Sequence, residues 1–128
     1  MSSIRKEVLL DGRPDEVWNV VRDVGAVHQR FAPGFVVDTQ LESGARVVTF
    51  ANGYVARELI VDVDDDARRL AYAAVGGRLT HHNASFQVVP EGDRTRLVWI
   101  ADLLPNELAP VIGGMMDEGV KAIKTALG

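Results

Sequence analysis

Six consecutive stretches, over residues 35–41, 46–51, 54–63, 70–75, 80–89 and 95–103, are rich in branched and aromatic residues and constrain the fold more than any other feature. Turn-forming clusters separate them: Ser43-Gly44, Asn52-Gly53, Asp64-Asp65-Asp66, Gly76-Gly77 and Glu91-Gly92-Asp93. Links this short leave no room for crossover helices, so successive strands must run antiparallel, as a meander. Asn52-Gly53 is the strongest turn signal, read as a two-residue hairpin with positive φ at both positions.

The flanks supply the layer that such a sheet needs. Ile4, Val8 and Leu10 alternate with Arg5 and Glu7, which predicts a further half-buried strand ending at Asp11-Gly12. Pro14 suits the first position of a helix, with Asp15 and Glu16 at its positive end and Val17, Trp18, Val20 and Val21 as its apolar residues. A second short helical piece is expected over 25–30, before Pro33-Gly34. Residues 106–127 form the longest helical pattern. Leu108, Val111, Ile112, Met115, Met116, Gly119, Val120, Ile123 and Leu127 fall in one arc, and charged residues fill the rest. One apolar stripe needs one apolar surface, and a curved sheet is the surface available. Gly119 lies near the centre of that stripe, although glycine within a helix costs about 1 kcal/mol against alanine. Either the helix approaches the sheet closely there or space is left for a ligand, with Met115 as adaptable lining.

At 128 residues, 47% hydrophobic and 25% charged, the chain reads as one domain over 1–128 with enough apolar material for its own core. A net charge of −4 with interspersed signs argues against nucleic acid as a partner. The absence of cysteine excludes disulfides, thiolate nucleophiles and cysteine-bound metals. Arg5, Lys6 and Glu7 interrupt the N-terminus where a signal peptide carries its apolar core, and no run is long enough to span a bilayer, so no membrane insertion and a cytoplasmic location are the expectation.

Two of the three histidines, His81 and His82, are adjacent. Neighbours on a strand point to opposite faces, so they cannot share a site. His82 has the parity of Ala84, Phe86 and Val88 and is the inward one; His81, with Asn83, Ser85 and Gln87, faces out. The bland role of an inward histidine is a bond to the backbone. A metal is not expected, because no His-x-His or cysteine spacing is present. Glu58 shares parity with Ala56 and Ile60, and Arg57 with Val55, Leu59 and Val61, so parity alone leaves open which of the two points inward. Asp102 closes the last strand. A carboxylate in an apolar cavity has its pKa raised by desolvation, or lowered if Arg57 or a protonated His82 lies near, and is a candidate acid, base or ligand anchor. The competing account is an outer-face ion pair of little energetic weight. No nucleophile elbow, phosphate loop, dinucleotide fingerprint or zinc motif occurs, and no cofactor is expected.

Pro14-Asp15-Glu16-Val17-Trp18 followed by Val21-Arg22-Asp23, then Phe31-Ala32-Pro33-Gly34, Glu58-Leu59, Arg69-Leu70-Ala71-Tyr72 and Thr95-Arg96-Leu97-Val98-Trp99 occur in an order that resembles one family. It is the polyketide cyclase/dehydrase-like (SRPBCC) branch of the START and birch-pollen-allergen helix-grip superfamily, and the likeness covers nearly the whole chain. The resemblance implies an α+β helix-grip fold: a seven-stranded antiparallel sheet curved around a long C-terminal helix, two short helices between strands 1 and 2, and a cavity between sheet and helix. It implies Phe31, Glu58, Tyr72, His82, Ala84, Phe86, Asp102, Ile112, Met115 and Gly119 as lining. Gly76-Gly77-Arg78-Leu79 resembles a ligand latch of plant abscisic acid receptors of that superfamily, and His81-His82 stands where many relatives carry Asn-Tyr. The leading expectation is binding of a small hydrophobic molecule by a monomer or homodimer, with Glu58, His82 and Tyr72 orienting its polar groups. The alternatives are an acid–base enzyme using His82, Glu58 and Asp102, and a protein-interaction module; fold alone does not separate the three.

Overall fold

The computed structural model describes residues 1–128. Seven strands, β1 (Ser2–Leu10), β2 (Val36–Glu42), β3 (Ala45–Phe50), β4 (Val55–Asp64), β5 (Arg69–Val75), β6 (His81–Glu91) and β7 (Arg94–Leu104), form one antiparallel sheet in the order β1-β7-β6-β5-β4-β3-β2. β2 to β7 are a plain meander, as their short links require. β1 joins at the far side, paired with β7 from Ser2 opposite Leu103 to Leu10 opposite Thr95.

Helix α1 (Pro14–Val21) has proline in its first turn, followed by Asp15 and Glu16. Trp18 Nε1 donates to Asp65 Oδ1 at 2.9 Å and Arg22 Nε donates to the same oxygen at 2.8 Å, tying the helix to the β4–β5 turn. The expected second helical piece is a single π turn, Val27–Phe31, in which the Ala32 N–H donates to the Val27 carbonyl at 2.9 Å. This wider turn buries Phe31 against the sheet. The chain ends in α2 (Ala109–Leu127), preceded by one 3-10 turn at Asn106–Leu108. Its buried residues narrow to Met116, Gly119 and Ile123, and Val111, part of the apolar arc, is exposed. The far end of α2 is fastened to the β1–α1 corner. Gly12 and Asp11 donate backbone N–H groups to Leu127 and Gly128, and Lys124 Nζ donates to the Leu9 carbonyl at 2.7 Å. α2 is not long and apolar enough to cross a membrane, and neither is any other helix.

Two β-bulges interrupt the alternation, at Val37 in β2 and Val61 in β4, and both valines are exposed. Each bulge adds a residue on one strand only, which bends the sheet locally and increases its twist. The Asn52-Gly53 turn also differs from the two-residue reading. Gly53 has φ 89°, Asn52 is not in the left-handed region, and the Phe50 N–H donates to the Tyr54 carbonyl at 2.8 Å. Ala51, Asn52 and Gly53 therefore form a three-residue connection, with glycine alone in the left-handed position. The core runs under α1 and α2 and includes Leu10, Val17, Leu70, Leu97, Leu103 and Ile123.

Candidate functional site

The three-residue turn decides what stands beside Glu58. It pairs Thr49 with Val55 and hence Arg46 with Glu58; a two-residue turn at Asn52-Gly53 would have set Val47 there instead. Both side chains point to the concave face, and Arg46 Nε donates to Glu58 Oε1 at 2.8 Å with side-chain exposures of 4% and 11%. Arg46 Nη1 donates to the Val24 carbonyl at 3.3 Å, and the guanidinium lies 5.3 Å from the Tyr72 ring centre. Arg57, the other candidate partner, points outward and lies 3.6 Å from Glu42 at the surface. Burial pushes the Glu58 carboxyl above its ordinary value, and Arg46, by charge and hydrogen bond, opposes that rise.

Next to this pair stands an aromatic wall. Phe86 stacks on Trp99 at 4.7 Å and on Tyr72 at 5.9 Å, and Phe31 meets Phe86 edge-on at 5.0 Å. Trp99 Nε1 donates to the Tyr72 hydroxyl oxygen at 2.9 Å. Burial, and secondarily the charge of Glu58, hold the Tyr72 phenol far above its ordinary range, so it keeps its proton.

His82 sits where the β5–β6 ladder stops. The last paired residues are Tyr72 and Ala84, and two residues on the Ala74 N–H donates to His82 Nδ1 at 2.9 Å, the ring taking the place of a strand carbonyl. That bond uses the Nδ1 lone pair, so the neutral ring carries its proton on Nε2. Desolvation, then the neighbouring His81, lower its pKa, and Asp102 acts weakly the other way.

These groups border a cavity of about 100 Å³, partly open to solvent, between α2 and the concave face. Of the residues assigned to it from the sequence, Phe31, Glu58, Tyr72, His82, Phe86, Ile112, Met115 and Gly119 line it. Ala84 lies on the same face but is buried between Tyr72 and Ala101, behind the wall. Asp102 pairs with Asn83 and Ser3 on the convex face, one residue out of phase with the lining Ala101, and reaches the cavity only through its field on His82. His81 is exposed. Gly119 is where the helix comes close: a Cβ there would meet Trp99 at 2.9 Å and Phe35 at 3.1 Å. The missing side chain accommodates the indole and leaves no empty volume of its own.

Sequence reasoning passed over Arg46 and Tyr54, which line the cavity together with Trp99 and with Leu79 of the latch-like segment. The signal for Arg46 is the hairpin register, which follows only once the turn is known to hold three residues rather than two.

A family model described as "Polyketide cyclase / dehydrase and lipid transport" matches residues 1–128. No curated protein sequence matches the chain. Among solved structures, XoxI of Bacillus cereus superposes with a TM-score of 0.88 at 17% identity, over 99% of this chain and 96% of that one. A Thermobifida fusca protein gives 0.77 at 26% identity over 98% and 89%. A point mutant of norcoclaurine synthase from Thalictrum flavum, solved with a transition state analogue, gives 0.73 at 20% identity over 97% and 92%. The helix-grip architecture is common to all three.

Proposed function

The chain belongs to the polyketide cyclase / dehydrase and lipid-transport family, and from that premise we propose that it binds a small, mostly apolar molecule in the cavity between α2 and the sheet. One observation carries the reading. The cavity wall is aromatic and aliphatic, and its two charged groups, Arg46 and Glu58, are paired with each other. The size of the space sets the size of the guest. At about 100 Å³ the cavity is smaller than one of roughly 150 Å³ that takes benzene, so a guest of one substituted ring reaches out through the open side.

The likeness to norcoclaurine synthase is what favours an acid–base enzyme as the second reading. That mechanism needs a free lone pair on a buried base. His82 Nδ1 is engaged by Ala74 and Glu58 Oε1 by Arg46, which leaves Glu58 Oε2 as the one unengaged base atom and weighs toward binding over proton transfer.

Native mass spectrometry of protein purified from its own host tests the proposal. The expected result is a one-to-one small-molecule adduct that is lost when Ile112→Trp fills the cavity. Protein free of any adduct, with no thermal shift against a panel of single-ring apolar compounds, would sink it.

A further inference from the structure

The polar groups at this cavity can be counted as donors and acceptors, and the count is lopsided. Tyr72 accepts from Trp99 Nε1 and donates to no protein group, so its O–H remains to be used. His82 accepts from Ala74 at Nδ1, so Nε2–H is its remaining polar group, and no protein acceptor holds it. The two rings are neighbours on the concave face, with centres 5.9 Å apart. Both neutral groups thus offer a proton, and both are oriented by a donor on their far side: the indole in one case, a strand N–H in the other. The charged acceptor of the wall is Glu58, whose Oε1 is held by Arg46 and whose Oε2 is the one acceptor left against these two donors.

Resting on the binding reading above, we infer that the guest carries an uncharged carbonyl oxygen, received by Tyr72 Oη–H and His82 Nε2–H, on a ring-sized apolar body lying against Phe86 and Met115. An anion fits less well, because the Glu58 carboxylate borders the same space and Arg46 already spends Nε on Glu58 and Nη1 on Val24. A guest that only donates would leave both donors buried and unmet, which is costly. Trp99 and Ala74 are positioning groups here; they set the direction of the two protons without touching the guest.

The test compares three probes of one size: acetophenone, ethylbenzene and benzoate. Binding is followed by titrating the Trp99 indole N–H resonance of the ¹⁵N-labelled protein. A purely apolar cavity ranks ethylbenzene first, because the ketone must give up its water. Here acetophenone is expected to lead by roughly tenfold, the worth of one well-made buried hydrogen bond or slightly more, with benzoate weakest. Tyr72→Phe keeps the ring but removes the hydroxyl, and with it the acceptor of Trp99 Nε1, and is expected to cost acetophenone roughly tenfold more than it costs ethylbenzene. The His82 tautomer, read from its ring ¹⁵N shifts in the wild type, gives a readout independent of whether Tyr72→Phe folds; the Nε2–H form is expected. Ethylbenzene ahead of acetophenone, equal losses for both probes in Tyr72→Phe, or an Nδ1–H tautomer would each overturn the carbonyl assignment while leaving cavity binding intact. No binding by any of the three overturns the binding reading, and this inference with it.

Discussion

Arg46 and Glu58 show how a buried charge pair behaves when one half is removed. Their attraction offsets a large desolvation cost, so the pair as a whole adds little, whereas either charge alone is expensive. Arg46→Ala, which strands the Glu58 carboxylate, is expected to cost about 3–5 kcal/mol in urea denaturation. The double variant Arg46→Met, Glu58→Leu should recover most of that loss, and strictly additive losses would contradict the account. His82 makes the fold sensitive to acid. A free imidazole binds its proton near 6.5, and the folded ring binds it lower, because burial and His81 oppose the charge and Asp102 only partly compensates. Between the two values the unfolded chain holds more protons, so the contribution of His82 to stability is complete above 6.5 and is lost as the pH falls through that window. Glu58 acts in the opposite sense. Its folded pKa is raised above 4.5, so the folded chain holds the extra proton and stability declines as the pH rises through that window. A difference measurement separates them: between about pH 7.5 and about pH 5, His82→Phe should lose less stability than wild type. Parallel stability curves would show that His82 is not the acid-sensitive group.

Helix α2 holds glycines of two kinds, and substitution distinguishes them. Gly119 faces Trp99 and Phe35 with no room for a methyl group, so Gly119→Ala should destabilise by about 1–3 kcal/mol despite the better helix propensity of alanine. Gly114 is exposed, with nothing within 4 Å of the added carbon, so Gly114→Ala should stabilise by up to about 1 kcal/mol. Chemical denaturation midpoints decide both, and a neutral Gly119→Ala would mean that the indole yields without cost. Strand identity, turn positions and the face of most inward residues were legible in the sequence, because alternation and turn chemistry are local. The pairing of β3 with β4 was not: one residue more or less in the Ala51-Asn52-Gly53 connection slides Arg46 away from Glu58. The bulges at Val37 and Val61 were equally hidden, since a bulged strand keeps its composition while its phase changes.

The sheet closes late in sequence terms, with Ser2 opposite Leu103, and α2 then covers the concave face while its C-terminus is tied back to Leu9, Asp11 and Gly12. So many distant contacts predict folding in milliseconds to seconds, slower than a helical bundle of this size, as stopped-flow fluorescence would show. A guest that binds only the closed molecule must stabilise it by mass action. At about a hundredfold excess over Kd the gain is about 2.7 kcal/mol, seen as a rise in melting temperature that grows with ligand concentration. A melting temperature indifferent to a compound shown to bind would mean that it binds outside the folded cavity.

Taken alone, the order of residues determined the kinds of element, their antiparallel succession, the inward parity of His82 and Phe86, and the single apolar stripe of α2, all of which depend on neighbours a few positions apart. Tertiary structure decided which charge faces Glu58, which nitrogen of His82 holds the proton, why position 119 must be glycine and how much space is left. Each of those follows from the distance between atoms on different strands, and that distance depends on register, bulges and aromatic packing rather than on any local pattern.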